Sequence, residues 1–102
     1  MKKYSGERTI DGISVVVDGK SLPYFYEVHR FAQYGFEWSY EGPEPTQLAF
    51  ALLYDHSGDA APARNLAQSF MKQVVANFDN EWEMTGADID AAISGLGGSR
   101  AA

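Results

Sequence analysis

The spacing of apolar and polar residues changes period several times along the chain, and each change marks an element. The first stretch, ERTIDGISVVVDGKSL over residues 7–22, is rich in β-formers and carries Asp-Gly pairs, a strong short-range hairpin signal. Closing the chain at Asp11-Gly12 pairs Ile10 with Ile13, Thr9 with Ser14 and Arg8 with Val15. Ile10, Ile13, Val15 and Val17 then share one face, and Thr9, Ser14 and Val16 the other. Asp18-Gly19 offers a second turn, returning the chain along Lys20 to Leu22, and Pro23, which lacks a donor, ends that strand. A meander with a short third strand is expected.

Residues 24–34, YFYEVHRFAQY, fit two patterns at once. Tyr24, Val28 and Phe31 make a helical stripe, whereas Tyr24, Tyr26 and Val28 make a strand stripe, and periodicity does not choose between them. Phe36, Trp38 and Tyr40 then alternate with Glu37, Ser39 and Glu41, which predicts a half-buried strand over 36–40. Gly42-Pro43-Glu44-Pro45 breaks it, and proline suits the first turn of a following helix. From Gln47 to Ser57 the chain is apolar nearly all round, through Leu48, Phe50, Leu52 and Leu53, so a buried helix is predicted, stopped by Gly58.

An amphipathic helix comes next. Asp59 is placed to cap it, Pro62 falls in its first turn, and Leu66, Phe70 and Val74 recur four apart. In EWEM, residues 81–84, Trp82 and Met84 turn inward and Glu81 and Glu83 outward. Thr85 and Asp88 have the spacing of a capping box, and Ile89, Ile93 and Leu96 form the apolar stripe of a last helix. Gly95 or Gly97 would supply its left-handed C-cap. The order is strands, helix, helix, strand, helix. That is an α+β fold: an N-terminal antiparallel hairpin or meander joined by later strands into one small sheet, packed on one face by about three helices. The expected organisation is a single domain over 1–96 and a flexible Gly-rich tail over 97–102.

Composition sharpens this picture. At 102 residues, 45% hydrophobic and 14% aromatic, the chain has the makeup of one globular domain with one core. It has no cysteine, which excludes disulfides, thiolate chemistry and cysteine-based zinc sites. Met1-Lys2-Lys3 leads into polar residues rather than an apolar signal region, and the run Leu48 to Tyr54 is too short to span a bilayer. A cytoplasmic location and no membrane contact are expected. The net charge is −6, with 14 acidic against 8 basic residues, so no basic footprint for direct nucleic-acid binding is present.

Candidate chemistry is sparse. Glu37 beside Trp38 reads either as a desolvated acid–base carboxylate or as a strand residue paired with a cation. His29, Asp55, His56 and Asp59 lack metal-ligand spacing, and His56 in a last helical turn is explained by the helix dipole. There is no Gly-x-Ser-x-Gly elbow around Ser57. No catalytic residue, metal or cofactor is assigned. The aromatic window from Tyr24 to Tyr40 is too ring-rich to be hidden whole in a small core, and Tyr and Trp are favoured contact residues at interfaces.

GFEWSYEGPEPTQLAFALL, the helix from Pro62 to Phe78 and EWEMTGADI together resemble an uncharacterised family of small prokaryotic proteins, known as a domain of unknown function. Its members occur in bacteria and archaea, often on plasmids and phages, with a central pattern GFEWGYGGSGPAQLALALL and a Trp-x-Leu-Thr-x-x-(Asp/Glu)-Ile ending. Gly35, Phe36, Glu37, Trp38, Tyr40, Gly42, Pro45, Gln47 and Leu48 match the centre, and Trp82, Thr85, Asp88 and Ile89 match the end. Ser39, Glu41, Pro43 and Glu44 depart from it, placing charge where a flexible loop would approach a ligand. The resemblance implies a mobile-element accessory role and carries no catalytic residue.

The function expected from these features is a non-enzymatic acidic interaction module. It would bind, and in one version inhibit, a host protein or nucleic-acid-binding complex with a basic or mixed surface. Its contact residues would be Glu37, Tyr40, Glu41, Glu44, Glu81 and Glu83. The alternatives are a small-ligand binder using the aromatic window as a pocket, and a homodimer that buries its surplus rings.

Overall fold

The computed structural model describes residues 2–101, with side chains through Leu96. Three strands, β1 (Lys3–Thr9), β2 (Gly12–Val17) and β3 (Lys20–Ser21), form the expected meander. Helices α1 (Pro43–Ser57) and α2 (Ala60–Gln73) follow, then a short 3₁₀ turn (Val75–Asn77), β4 (Glu81–Thr85) and α3 (Gly86–Ala101). All four strands belong to one antiparallel sheet in the order β3-β2-β1-β4. The fold is α+β, and among the described residues no helix is long and apolar enough to cross a membrane. The tail expected over 97–102 lies outside the residues described in full.

The hairpin closes in a different register from the one the Asp11-Gly12 signal predicts. Thr9 pairs with Gly12, Arg8 with Ile13 and Gly6 with Val15. Gly12 takes φ +119°, while Thr9 Oγ1 accepts the Asp11 N–H at 3.2 Å and donates to Gly12 O at 3.1 Å. Ile10 therefore sits in the turn, fully exposed, and not on the core face. The slip is two residues, so every other side chain keeps its expected face. Asp18 and Gly19 adopt the left-handed pair that the second turn requires, with φ +50° and +83°.

The new register serves the core. Gly6 lies between Val15 on one side and Trp82 on the other, and the Trp82 indole fills the space over it. A Cβ on Gly6 would stand 2.5 Å from Trp82 Cε2. Phe78 stacks on that indole with centroids 4.4 Å apart, and Trp38 meets it edge-on at 5.8 Å. Tyr4, Trp38, Phe50, Phe70 and Ile89 are fully buried around this layer.

The helices form where the periodicity predicts, except that α2 ends at Gln73, leaving Val74 as its C-cap and Phe78 in extended backbone rather than running helical to Phe78. From Pro45 to Leu53 every residue of α1 is buried, Pro43 and Pro45 occupy its opening, and Gly58 ends it with φ +72°, its N–H reaching Tyr54 O at 2.7 Å. In α2, Ala63, Ala67, Phe70 and Met71 form the buried stripe. Asp59 occupies the N-cap position but its side chain makes no capping bond; its N–H instead donates to Ser57 Oγ at 3.1 Å. The capping box ahead of α3 closes in both directions, Thr85 N–H to Asp88 Oδ2 at 3.0 Å and Asp88 N–H to Thr85 Oγ1 at 3.1 Å. Gly95 lies inside α3 rather than capping it.

Two segments depart from regular structure. Residues 36–40 are not a strand: Ser39 is left-handed at φ +79°, its N–H bonds Val75 O at 3.1 Å, and Trp38 Nε1 donates to Asp79 O at 2.7 Å. These tertiary bonds replace the ladder that an alternating pattern calls for. Residues 24–34 are neither helix nor strand. Phe25 is left-handed at φ +60°, and the loop is held by the buried side chain of Gln47. Gln47 Oε1 accepts from Phe31 N–H at 2.6 Å and Ala32 N–H at 3.2 Å, while Nε2 donates to Tyr24 O at 2.8 Å and His29 O at 3.1 Å.

Candidate interaction surface

Arg8 stands where the two acidic segments meet. Its backbone belongs to β1, and its guanidinium reaches across the sheet end. One terminal nitrogen donates to Asn80 Oδ1 at 2.7 Å; the other donates to Glu37 Oε1 and Trp38 O, both at 2.6 Å. The guanidinium also lies 4.6 Å from the Trp38 ring centroid. Glu37 Oε1 accepts a further bond from the Trp38 N–H at 3.0 Å. Glu37 is thus a half-buried carboxylate engaged by a cation and by the Trp38 backbone.

Tyr40 and Glu44 lie close to Glu37, at the start of α1. Burial pushes the Tyr40 phenol above its ordinary range, the carboxylates of Glu44 and Glu37 push it further, and Arg8 opposes them. The Tyr40 residue remains 46% exposed. Glu41 is exposed and, with Phe31, Thr46, Met71 and Lys72, lines a cleft between the opening of α1 and α2. Glu37, Tyr40 and Glu44 therefore form one group, with Glu41 next to Tyr40 in the chain and on the border of the adjoining cleft.

Glu81 and Glu83 form another. Both point from β4 onto the sheet face opposite the core, together with Ser5, Glu7, Ser14 and Val16, which line a shallow trough there. Lys3 pairs with Glu83 at 3.1 Å. Glu7 and Glu81 stand directly opposite each other in the β1–β4 register, and neither makes an ion pair among the described residues. A directly opposed like-charge pair costs stability.

The backbone of β4 adds a second property. Arg8 N–H bonds Asn80 O at 3.3 Å and Gly86 N–H bonds Lys2 O at 2.9 Å, which sets the alternation of the ladder. Trp82 and Met84 therefore exchange bonds with Gly6 and Tyr4, whereas the N–H and C=O groups of Glu81 and Glu83 point away from β1. Since β4 is an edge strand, these groups have no partner among the described residues.

The aromatic window packs largely on itself and on the core. Tyr24 meets Tyr26 at 5.1 Å and Phe36 at 4.7 Å, Phe25 meets Tyr54 at 4.9 Å, and Arg30 covers Tyr26 at 4.2 Å. Tyr26 OH accepts the Gly35 N–H at 2.6 Å. Tyr34, 83% exposed, is the ring this packing leaves furthest out. Two of the polar residues weighed as metal ligands have partners of their own: His56 Nε2 meets Asp90 Oδ1 at 2.7 Å, and Asp55 Oδ2 accepts from Tyr4 OH at 2.7 Å and Lys2 Nζ at 3.1 Å.

A family model described as a family of unknown function, DUF6166, matches residues 4–95. The chain belongs to the DUF6166 family. The match begins at the buried Tyr4 of β1 and ends one residue before Leu96 of α3, so it takes in all of the sheet but Lys3, the Gln47 clamp and both acidic groups. No curated protein and no solved structure matches the chain.

Reading residues by type alone misses three participants in this DUF6166 chain. Glu7 joins the outer acidic face only because the register sets it opposite Glu81. Arg8 carried no motif. Gln47 did leave a signal, since it is the lone amide in a run of buried residues from Pro45 to Leu53, where a polar side chain must find partners.

Proposed function

We propose that this protein is a non-enzymatic interaction module that binds a basic surface on a partner protein. In this reading it serves as an accessory protein of a mobile element and acts by occupying, and so inhibiting, a host protein that handles nucleic acid. The observation that carries the reading is the division of labour within the sheet. One face is consumed by the helical core, while the other presents Glu7, Glu81 and Glu83, with Lys3 the one cation paired to them among the described residues. Tyr40, Glu41 and Glu44 add a second acidic contact group, and Glu37 supports it from beneath through Arg8. Charge complementarity of this kind governs partner choice and association rate more than affinity alone.

The test is a tagged pull-down from host lysate at low and high salt, with the retained proteins identified by mass spectrometry. Basic proteins held at low salt should be released at high salt. They should also be lost when Glu41, Glu44, Glu81 and Glu83 are changed together to Lys. An identical retained set for both proteins, or retention indifferent to salt, refutes the proposal.

A further inference from the structure

The structure assigns the free edge of β4 as the docking line for an extended, basic segment of the partner, which adds to the sheet as a fifth strand. This inference rests on the acidic-module reading above and gives it a location and a ligand chemistry. The argument begins from the backbone. Glu81 and Glu83 each hold an N–H and a C=O directed away from β1, with no partner among the described residues. Such a row is a template for another strand, and β-strand addition is a recurrent way of capturing peptides.

Side chains then choose the occupant. Along β4 the outward positions are Glu81 and Glu83, and the inward positions are the buried Trp82 and Met84. An added strand places its residues beside these in the same alternation, so Lys or Arg at every second position would stand next to the two glutamates. The residues between would border Trp82 and Met84 and so should be apolar. Glu7, one strand further in, faces Glu81 without a cation, and a partner cation at that place relieves the repulsion. A second copy of this chain is a poor occupant, because pairing β4 with β4 sets Glu81 and Glu83 against their own counterparts. The free edge thus has a charge pattern that rejects itself and accepts a Lys-x-Lys strand.

The experiment uses the full chain and a short capped peptide alternating Lys and Val. Its comparisons are a same-composition isomer with the lysines in one block, and an alternating peptide N-methylated on the amides that would face β4. Amide hydrogen exchange reads the site. The alternating peptide should slow exchange at Glu81 and Glu83, and the N-methylated peptide should not. Glu81→Lys with Glu83→Lys should weaken binding by about tenfold or more, since two cross-strand pairs change from attractive to repulsive. Glu81→Gln with Glu83→Gln should weaken it less.

Equal binding of the block isomer overturns the docking line, as does unchanged exchange at Glu81 and Glu83. Protection of those amides in the protein alone, rising with its concentration, overturns it in favour of a second copy. If Glu41→Lys with Glu44→Lys abolishes peptide binding while the Glu81 and Glu83 substitutions do not, the edge is refuted and the wider acidic reading survives. Failure of every basic peptide at low salt, together with a salt-indifferent pull-down, refutes both.

Discussion

Gln47→Leu is the substitution that best probes how this fold is held. The side chain is fully buried, and its amide satisfies four backbone groups of the irregular loop: the carbonyls of Tyr24 and His29 and the N–H groups of Phe31 and Ala32. Leucine has a similar volume, so the change leaves the packing nearly intact and removes only the hydrogen bonds. Each buried polar group left without a partner costs about 1–3 kcal/mol. Ala32 is buried, while Tyr24 is exposed and His29 and Phe31 are half-buried, so water can reach part of the set. A loss of about 3–6 kcal/mol follows, toward the lower end if the loop opens to solvent. A domain of this size is stable by about 5–15 kcal/mol in total, so the variant should approach the unfolding threshold. Urea unfolding followed by tryptophan fluorescence measures the loss, and amide exchange at Phe31 and Ala32 locates it. Gln47→Glu keeps the two acceptor bonds, loses both donor bonds and should still expose Tyr24 and His29. The reasoning is refuted if Gln47→Leu costs less than about 1 kcal/mol while Phe31 and Ala32 keep their protection.

Further outcomes follow from other contacts. Gly6→Ala drives a methyl into the Trp82 indole, which cannot retreat because Phe78 stacks on it; the expected cost is about 1–3 kcal/mol, and an unchanged thermal midpoint would contradict this packing. Arg8→Lys loses the forked contact to Glu37 and Trp38 O and the cover over the Trp38 ring, at about 1–2 kcal/mol for a site partly open to solvent, read by urea denaturation with Glu37→Gln as the partner in a double-mutant cycle. Burial and the bond to Asp55 raise the Tyr4 phenol above its ordinary value. In the unfolded chain this phenol ionises near pH ~10, so the Tyr4 contribution is constant below that pH and is lost as pH rises beyond it. Tyr4→Phe should therefore lower stability at neutral pH by about 1–2 kcal/mol and flatten the alkaline decline; an equally steep decline in the variant would show that Tyr4 is not its source.

The amino-acid pattern alone determined the presence of the helices and of β4, whose signals are local. The continuous apolar run before Gly58 specified a buried helix, the four-residue spacing of Leu66 and Phe70 specified an amphipathic one, and Thr85 with Asp88 announced a cap that closes as the spacing requires. Alternation in EWEM correctly placed Trp82 and Met84 inward, because that segment has β1 beside it to supply a ladder. The same alternation misled at 36–40, where no strand is adjacent. There Phe36 and Trp38 reach the core through a left-handed Ser39 and bonds to Val75 and Asp79. Residues 24–34 offered two periods and took neither, since a single amide from α1 outbids both by satisfying four backbone groups at once. Of the acids, their outward direction on β4 was legible, but their company was not. That Glu37 is held by Arg8, that Glu7 faces Glu81, and that β4 is an open edge depend on which strands are neighbours and in what register. Those are contacts between residues far apart in the chain, which packing such as that of Trp82 over Gly6 settles and no local pattern encodes.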